Sequence, residues 1–203
     1  MNPVVRRIFK WLFILGLISA AGFWALGAAG GKSDDHRGVI EDYLQDISGM
    51  TVGIERLNGL YFFPSILVDF EGLKMAEEEG GRAVTLDVLH MGVGFKDAMF
   101  RSGKFSVLRV QNFTAAAGTV MAEALHIETL GIEHTSETSA FLTGGGTIGQ
   151  RAFTIKTPLL IYGKSGAHKY RFDADFPVIL VMENGERFGV DLQDGQMILE
   201  PEL

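Results

Sequence analysis

A glycine-rich segment is the first candidate for chemistry in this sequence. Residues 144–149 read Gly-Gly-Gly-Thr-Ile-Gly, which matches the G-x-G-x-x-G pattern of dinucleotide-binding loops. Such a site requires a helix directly after the glycines, because the helix N-terminus binds the pyrophosphate. Residues 151–157 instead alternate apolar and polar side chains, which predicts a strand. We therefore interpret the glycines as a loop or as a bend in a sheet.

The five histidines do not have the spacing of a helical metal site. They are His36, His90, His126, His134 and His168. No two of them are three or four residues apart, as the ligands of a helical zinc motif would be. His126 and His134 bracket one predicted strand segment and need not converge. His90 lies in an apolar stretch, and we interpret it as a core residue.

Other catalytic patterns are also missing from the sequence. The chain contains no cysteine, which excludes a thiol nucleophile, a thiolate metal site and a disulfide framework. No G-x-S-x-G segment is present, so nothing indicates the nucleophile elbow of a serine hydrolase. Acidic residues are numerous, but their spacing singles out no pair for glycoside-type acid–base work. We expect a protein that is not an enzyme and that has no cofactor and no metal site.

Charge divides the chain into two unequal parts. The 203 residues carry a net charge of −7 and have a mean hydropathy of +0.19. Residues 1–32 contain four basic residues and no acidic one, so the remaining 171 residues carry the difference, −11. An acidic body argues against nonspecific nucleic-acid binding, which needs a basic face. The two parts are therefore expected to meet different surroundings.

Residues 11–30 form an uncharged apolar run that predicts a membrane anchor over 1–32. As a helix, twenty residues span about 30 Å, the thickness of a bilayer's hydrocarbon core. Basic residues before the run predict a cytoplasmic N-terminus and an exported body. Small residues at 27–30 also fit a cleavable signal peptide, although the run exceeds the usual apolar region of one. The predicted membrane-spanning residues include Trp11, Leu15, Ile18, Phe23 and Leu26.

A short amphipathic helix is predicted over 33–49, between the anchor and a β-domain over 50–203. Ser33, Asp34 and Asp35 are N-cap candidates, and Gly49 ends the pattern. The apolar positions recur with the spacing of one helix face. They are Val39, Ile40, Tyr43, Leu44 and Ile47.

The strongest β signal lies at 169–182, where every second residue from Tyr170 to Met182 is apolar. The positions between them are polar or proline as far as Pro177, after which Ile179 and Val181 make the second face apolar too. This alternation predicts one strand with a buried face. The candidate face, which lines either an open groove or a filled core, comprises Tyr170, Phe172, Phe176, Val178 and Leu180. Asn184 and Gly185 then predict a tight hairpin to a return strand.

The other predicted strands complete a mainly β fold without the β–helix–β alternation of a parallel sheet. They lie at 51–57, 61–63, 65–75, 83–95, 105–113, 119–133, 140–142, 151–162, 188–192 and 197–199. A helical turn is predicted at 96–102. The alternation changes phase at Gly72 and again between Ile127 and Leu130, which predicts β-bulges and a bent sheet. We expect a large, twisted, mostly antiparallel sheet that forms a groove or half-barrel.

Residues 5–115 resemble the N-terminal module of the AsmA-like envelope proteins. The resemblance rests on the membrane segment, the amphipathic helix and three stretches after it. These stretches are residues 47–54 (Ile-Ser-Gly-Met-Thr-Val-Gly-Ile), Phe63-Pro64, and residues 67–73 (Leu-Val-Asp-Phe-Glu-Gly-Leu). The strand–turn–strand order predicted over 83–113 matches as well.

The resemblance implies a single-pass protein of the bacterial inner membrane, with its β-domain in the periplasm. It also implies an apolar β-groove that binds or helps to move membrane lipids in envelope homeostasis. The family offers no catalytic residue to transfer. Ten strands extend only about 50 Å, so one copy would not bridge the envelope alone. The alternative is a non-enzymatic scaffold or assembly subunit of an envelope or secretion complex, with an envelope protein or a second copy as partner.

Overall fold

The computed structural model describes residues 37–61, 65–77, 80–100, 102–163, 168–172, 178–193 and 196–201. Two helices lie in these ranges, α1 (Arg37–Ser48) and α2 (Phe95–Met99). The strands are β1 (Thr51–Tyr61), β2 (Ser65–Ala76), β3 (Ala83–Gly94), β4 (Val107–Ala115), β5 (Leu125–Ser136), β6 (Ser139–Ile148), β7 (Arg151–Tyr162), β8 (Lys169–Phe172), β9 (Ile179–Met182), β10 (Arg187–Gln193) and β11 (Gln196–Pro201).

The predicted membrane-spanning run lies outside the described residues, and so do the boundary at residue 32 and the N-cap candidates. Neither α1 nor α2 has the length and apolar character that crossing a bilayer demands. The predicted helical turn at 96–102 is confirmed as the short helix α2.

Helix α1 forms where the spacing of apolar residues predicted it and packs against β1. Leu44 is 2% exposed and Ile40 is half-buried against the core. Gly49 ends the helix with φ 67°, a left-handed conformation that glycine adopts without a Cβ penalty. The Glu41 carboxylate accepts a hydrogen bond from the Ile54 amide at 2.7 Å, so the helix is joined to the strand edge.

All eleven strands belong to one antiparallel sheet, as the alternation of the sequence predicts. The order is β1-β2-β3-β4-β5-β6-β7-β9-β10-β11, with β8 pairing to β7 beside β9. The sheet is open, since β1 and β11 stand at the two ends of this order. Several predicted limits were wrong: β1 continues to Tyr61, β5 begins only at Leu125, and β6 extends far beyond 140–142.

The sheet is curled so strongly that distant strands meet. Phe105, just before β4, exchanges two backbone hydrogen bonds with Tyr170 of β8, at 2.9 and 2.7 Å. Beyond the other end of β4, the Met197 amide of β11 donates to the Val120 carbonyl at 2.8 Å. Both contacts join segments that are several strands apart in the sheet order. The sheet is therefore curled, and its buried apolar face is the concave one.

In each of the first five strands, the alternation of buried and exposed residues shifts by one position at the same level of the sheet. The residues at that level form one row across the strands. In β2, Phe70 and Leu73 are both buried although they are three residues apart. Strict alternation would place them on opposite faces. Gly72 and Asn112 occupy the row with φ of 69° and 49°. In register, the row consists of Glu55, Gly72, Asp87, Asn112 and Glu128.

The change of phase in β5 is absorbed by a bulge against β6. The register shifts between Ile127 and Thr129, which leaves Glu128 as the extra residue. Beyond this bulge β6 alternates without interruption, with Ala140, Leu142 and Ile148 all buried. The predicted bulge between Ile127 and Leu130 is therefore confirmed. No bulge lies at Gly72 itself, because both of its strand pairs keep their register there. The β1–β2 register shifts nearby instead, between Leu57 and Gly59.

Candidate functional site

The candidate apolar face belongs to two strands, so the prediction of one continuous strand over 169–182 was wrong. Both β8 and β9 pair with β7, at Leu159 opposite Phe172 and at Ile155 opposite Leu180. On β7, three residues lie between Ile155 and Leu159, whereas seven lie between their partners Phe172 and Leu180. The segment that joins β8 to β9 is therefore four residues longer than the stretch of β7 opposite it. Because side chains alternate with a period of two, an insertion of four residues leaves β8 and β9 with the same parity of inward-facing positions. The apolar alternation in the sequence therefore shows no break.

The described members of this face lie in or against the hydrophobic core. Tyr170 is 6% exposed and Leu180 is 5% exposed. Phe172 and Val178 are half-buried and pack against the same core. Phe176 lies outside the described residues.

Leu180 is part of an apolar row that crosses most of the sheet. Residues directly opposite each other in antiparallel pairs share a face, so the register places these side chains on one side. From β1 to β10 the row consists of Leu57, Phe70, Leu89, Val110, Leu130, Gly144, Ile155, Leu180 and Phe188. The core therefore runs continuously along the inner face of the curled sheet.

Tyr170 lies where β8 meets the segment before β4. Its ring lies 5.9 Å from that of Phe105, centre to centre, and Phe105 lies 5.6 Å from Phe172. The Tyr170 hydroxyl lies 2.6 Å from His134 Nε2, on the last part of β5. Burial raises the pKa of this hydroxyl, because the phenolate would lose its hydration.

The structure brings together two histidines that the sequence did not associate. The rings of His134 and His168 lie 5.6 Å apart, and both approach Tyr170. His168 Nδ1 is buried and has no hydrogen-bond partner within the described ranges. Over the described ranges, no group of three His, Asp or Glu side chains is arranged to hold a metal ion. The described contacts of the cluster place an imidazole beside a phenol and include no carboxylate.

The other histidines serve local contacts. His90 was predicted to be a core residue, which is wrong: it is half-exposed and its Nδ1 lies 3.1 Å from Asp69 Oδ2 on the neighbouring strand. The apolar stretch around it alternates, and His90 falls on the outer face. His126 Nδ1 lies 3.0 Å from Thr114 Oγ1. His126 and His134 therefore have different partners at opposite ends of β5, as the sequence allowed.

Thr157 of β7 is a buried polar residue, 1% exposed, on the core face. Its Oγ1 has no hydrogen-bond partner among the residues that the structure describes. It lies opposite Leu142 of β6. An unpaired buried hydroxyl is costly, so this position is a weak point of the core.

The glycine-rich segment is confirmed as a feature of the sheet. Gly144, Gly145 and Gly146 lie inside β6, and β7 follows them rather than a helix. A Cβ on Gly146 would lie 1.9 Å from the His126 carbonyl oxygen, and one on Gly144 would lie 2.4 Å from the Thr129 oxygen. The glycines therefore allow close backbone approach beside the β5 bulge, and no helix follows them to present its N-terminus to a phosphate.

A crevice of about 330 Å³ lies between the β6–β7 and β9–β10 turns. It is lined by Gln150, Arg151, Ala152, Met182, Glu183 and Asn184. Arg151 is paired with Glu123 at 2.7 Å, so this cation is already neutralised. Glu183 is the only carboxylate in the described lining, so the crevice presents no pair of carboxylates.

The fold and these sites define a mainly β protein built on one curled antiparallel sheet. No family model, curated protein or solved structure matches the chain.

Proposed function

We propose that this protein is a membrane-tethered, non-enzymatic scaffold or assembly subunit of the bacterial cell envelope. Its tether is the apolar run at 11–30, and its working part is the exported β-domain. The partner is an envelope protein or a second copy of the chain. The observation that carries the proposal is the burial of the candidate face, with Tyr170 and Leu180 at 6% and 5% exposure.

Burial of this degree bears directly on the choice between a scaffold and a lipid carrier. An acyl chain is wider than a water molecule, so a trough that accepts one would also admit water. Side chains that line such a trough would then be exposed to solvent. The described residues of the apolar row through Leu180 are buried on most strands, which supports a core filled by its own side chains.

Lipid binding in the manner of AsmA-like proteins is the second candidate. Phe172 and Val178 support it, because they are half-buried members of the same face. Removal of such a surface from water by an acyl chain would contribute about 25 cal/mol per Å². Here the groove would lie beside β8 and β9, and the protein would help to move phospholipids at one membrane.

Photo-crosslinking of the full chain separates these functions. The chain is reconstituted into liposomes whose phospholipids carry a diazirine at the end of one acyl chain, and the crosslinked residues are identified by mass spectrometry. The scaffold function predicts crosslinks at residues 11–30 and none at Val178 or Leu180 of the candidate face. Crosslinks at Val178 or Leu180 would establish the lipid-binding function instead.

The same experiment contains its own control. Residues 11–30 should be labelled under either function, because both require the tether. Absence of label in that run, in a chain that is recovered with the liposomes, would overturn the membrane tether. Chemical crosslinking in intact cells then tests the scaffold, which predicts a discrete protein adduct of the β-domain; a chain that forms none would contradict it.

A further inference from the structure

One end of the sheet carries an exposed aromatic side chain among basic residues. Phe100, directly after α2, is 77% exposed, and Phe95 at its start is 38% exposed. Lys96 is exposed between them. Lys104 Nζ lies 4.3 Å from the ring centre of Tyr162, which Arg171 also approaches at 5.5 Å. We call this set, Phe95, Lys96, Phe100, Lys104, Tyr162, Lys169 and Arg171, the basic–aromatic rim.

The rim is basic although the body of the protein is acidic. Residues 95–106 and 162–172 contain six of the 18 Lys and Arg residues but only one of the 25 Asp and Glu residues. That acid is Asp97, which is neutralised by Lys169 and bonded to Ser102 Oγ at 2.9 Å. The bridge between Phe105 and Tyr170 joins the two segments at one end of the sheet. Glu133 and Glu137 are exposed and belong to the β5–β6 hairpin, whose His134 contacts Tyr170 of β8.

The direction of helix α1 relates it to this end of the sheet. It runs antiparallel to β1, because Glu41 bonds to Ile54 and Arg37 Nη1 donates to the Glu55 carbonyl at 3.0 Å, further along the strand. The N-terminus of α1 is therefore directed to the end of the sheet where β3 runs into α2. Six residues, 31–36, separate α1 from the apolar run, and they span about 20 Å when fully extended.

We propose that the basic–aromatic rim docks on the anionic phospholipid surface of the membrane that holds residues 11–30. The inference rests on the proposed membrane tether. An exposed phenylalanine flanked by lysines has the chemistry of an interfacial contact, with the ring at the acyl boundary and the cations at the headgroups. The short connection keeps this end close to the bilayer, so docking holds the β-domain in one orientation.

The absence of cysteine from the sequence makes a clean test possible. Phe100→Cys in the full chain is labelled with the environment-sensitive fluorophore NBD and reconstituted into liposomes of phosphatidylcholine, with or without about one third phosphatidylglycerol. Docking predicts a blue-shifted, brighter emission and a several-fold slower reduction by dithionite with the anionic lipid. The shift should reverse in 0.5 M salt, which screens the attraction. The matched control is Gln150→Cys, an exposed position at the opposite end, whose label should remain water-like in both lipids.

Charge reversal tests the basic residues separately. In the Phe100→Cys chain, Lys96→Glu with Lys104→Glu should reduce the docked fraction about tenfold or more. The same change in charge at Lys74 and Lys156, which lie outside the rim, should leave the emission unchanged. Circular dichroism and thermal melting check that every variant folds like its parent.

Flotation with the liposomes tests the membrane tether separately from the docking of the basic–aromatic rim. If the chain fails to float, the membrane tether is wrong. If the chain floats and the label at position 100 stays water-like with anionic lipid, the tether stands and rim docking is overturned. A shift of the same size in neutral lipid, or one that occurs only after envelope extract is added, would also overturn docking on anionic lipid.

Discussion

His134 Nε2 lies 2.6 Å from the hydroxyl of Tyr170, although their strands are separated by β6 and β7 in the sheet order. The contact requires the sheet to curl until β5 reaches β8 across the two intervening strands. Ala140, which is 2% exposed and opposite His134 on β6, is small enough to let the ring pass over it. The contact between His134 and Tyr170 therefore depends on the curvature of the sheet from β5 to β8.

Substitution Tyr170→Phe tests this contact. It removes the hydroxyl and keeps the ring contacts with Phe105, so we expect the free energy of unfolding to fall by about 1 kcal/mol. Urea unfolding followed by fluorescence measures the change. Tyr162→Phe is the matched control, since its ring contact with Lys104 survives the same substitution. Equal effects of the two substitutions would show that the His134 contact adds nothing to stability.

Substitution Thr157→Val is expected to stabilise the protein. Valine has nearly the same shape as threonine, and it removes a hydroxyl that is buried without a partner. The gain should be about 1 kcal/mol in the free energy of unfolding. Thr154→Val, on the exposed face of the same strand, should change stability by less than about 0.5 kcal/mol. A loss of stability at position 157 would mean that the hydroxyl has a partner in the folded chain.

Substitution Gly146→Ala should destabilise the sheet by about 1–3 kcal/mol, because its Cβ would collide with the His126 carbonyl at 1.9 Å. Gly53→Ala provides the matched control in β1. No atom lies within 4 Å of the Cβ position there, so alanine should be neutral or stabilise by up to about 1 kcal/mol. Thermal melting of the two variants compares them. If the two variants melt alike, close backbone approach is not the reason for the glycine.

Asp97 is expected to make stability depend on acidic pH. Burial alone would raise the pKa of its carboxyl, but hydrogen bonds from Lys169 and Ser102 outweigh that effect and lower the pKa below its ordinary value of 3.8. The stabilisation is therefore present above pH 3.8 and is lost as the pH falls through the folded-state pKa.

Asp97→Asn should cost about 1–2 kcal/mol at pH 7 and flatten the stability profile at acidic pH. Urea unfolding at a series of pH values measures both effects. Asp46→Asn, at an exposed position of α1, should leave the profile unchanged. An unaltered acid limb in the Asp97 variant would contradict the assignment.

Local features of the fold were predictable because they depend on neighbouring residues. The β9–β10 hairpin forms at Asn184 and Gly185, as predicted, and Gly185 has φ 86°. The alternation of residues 151–157 showed that a strand, and not a helix, follows the glycine-rich segment, so the sequence alone argued against a nucleotide-binding loop. These signals arise within a few residues, where backbone conformation and the period of a strand are set.

The candidate face shows the limit of the same signal. Alternation identified Tyr170 and Leu180 as inward-facing, and both are buried. It did not reveal the interruption between β8 and β9, because an excess of four residues preserves a period of two. Alternation also gives no measure of how far a sheet curls. The sequence was therefore equally compatible with an open groove and with a filled core.

The sequence by itself determined the β class, α1, the main hairpin and the candidate membrane anchor. Only the tertiary structure decided which distant groups meet: His134 with Tyr170 across 36 residues, and the two basic segments at one end of the sheet. The physical reason is that alternation depends on short-range geometry and states which face leaves water. Long-range contacts depend on the summed twist, bulges and left-handed residues of many strands, such as Gly72, Asn112 and Glu128.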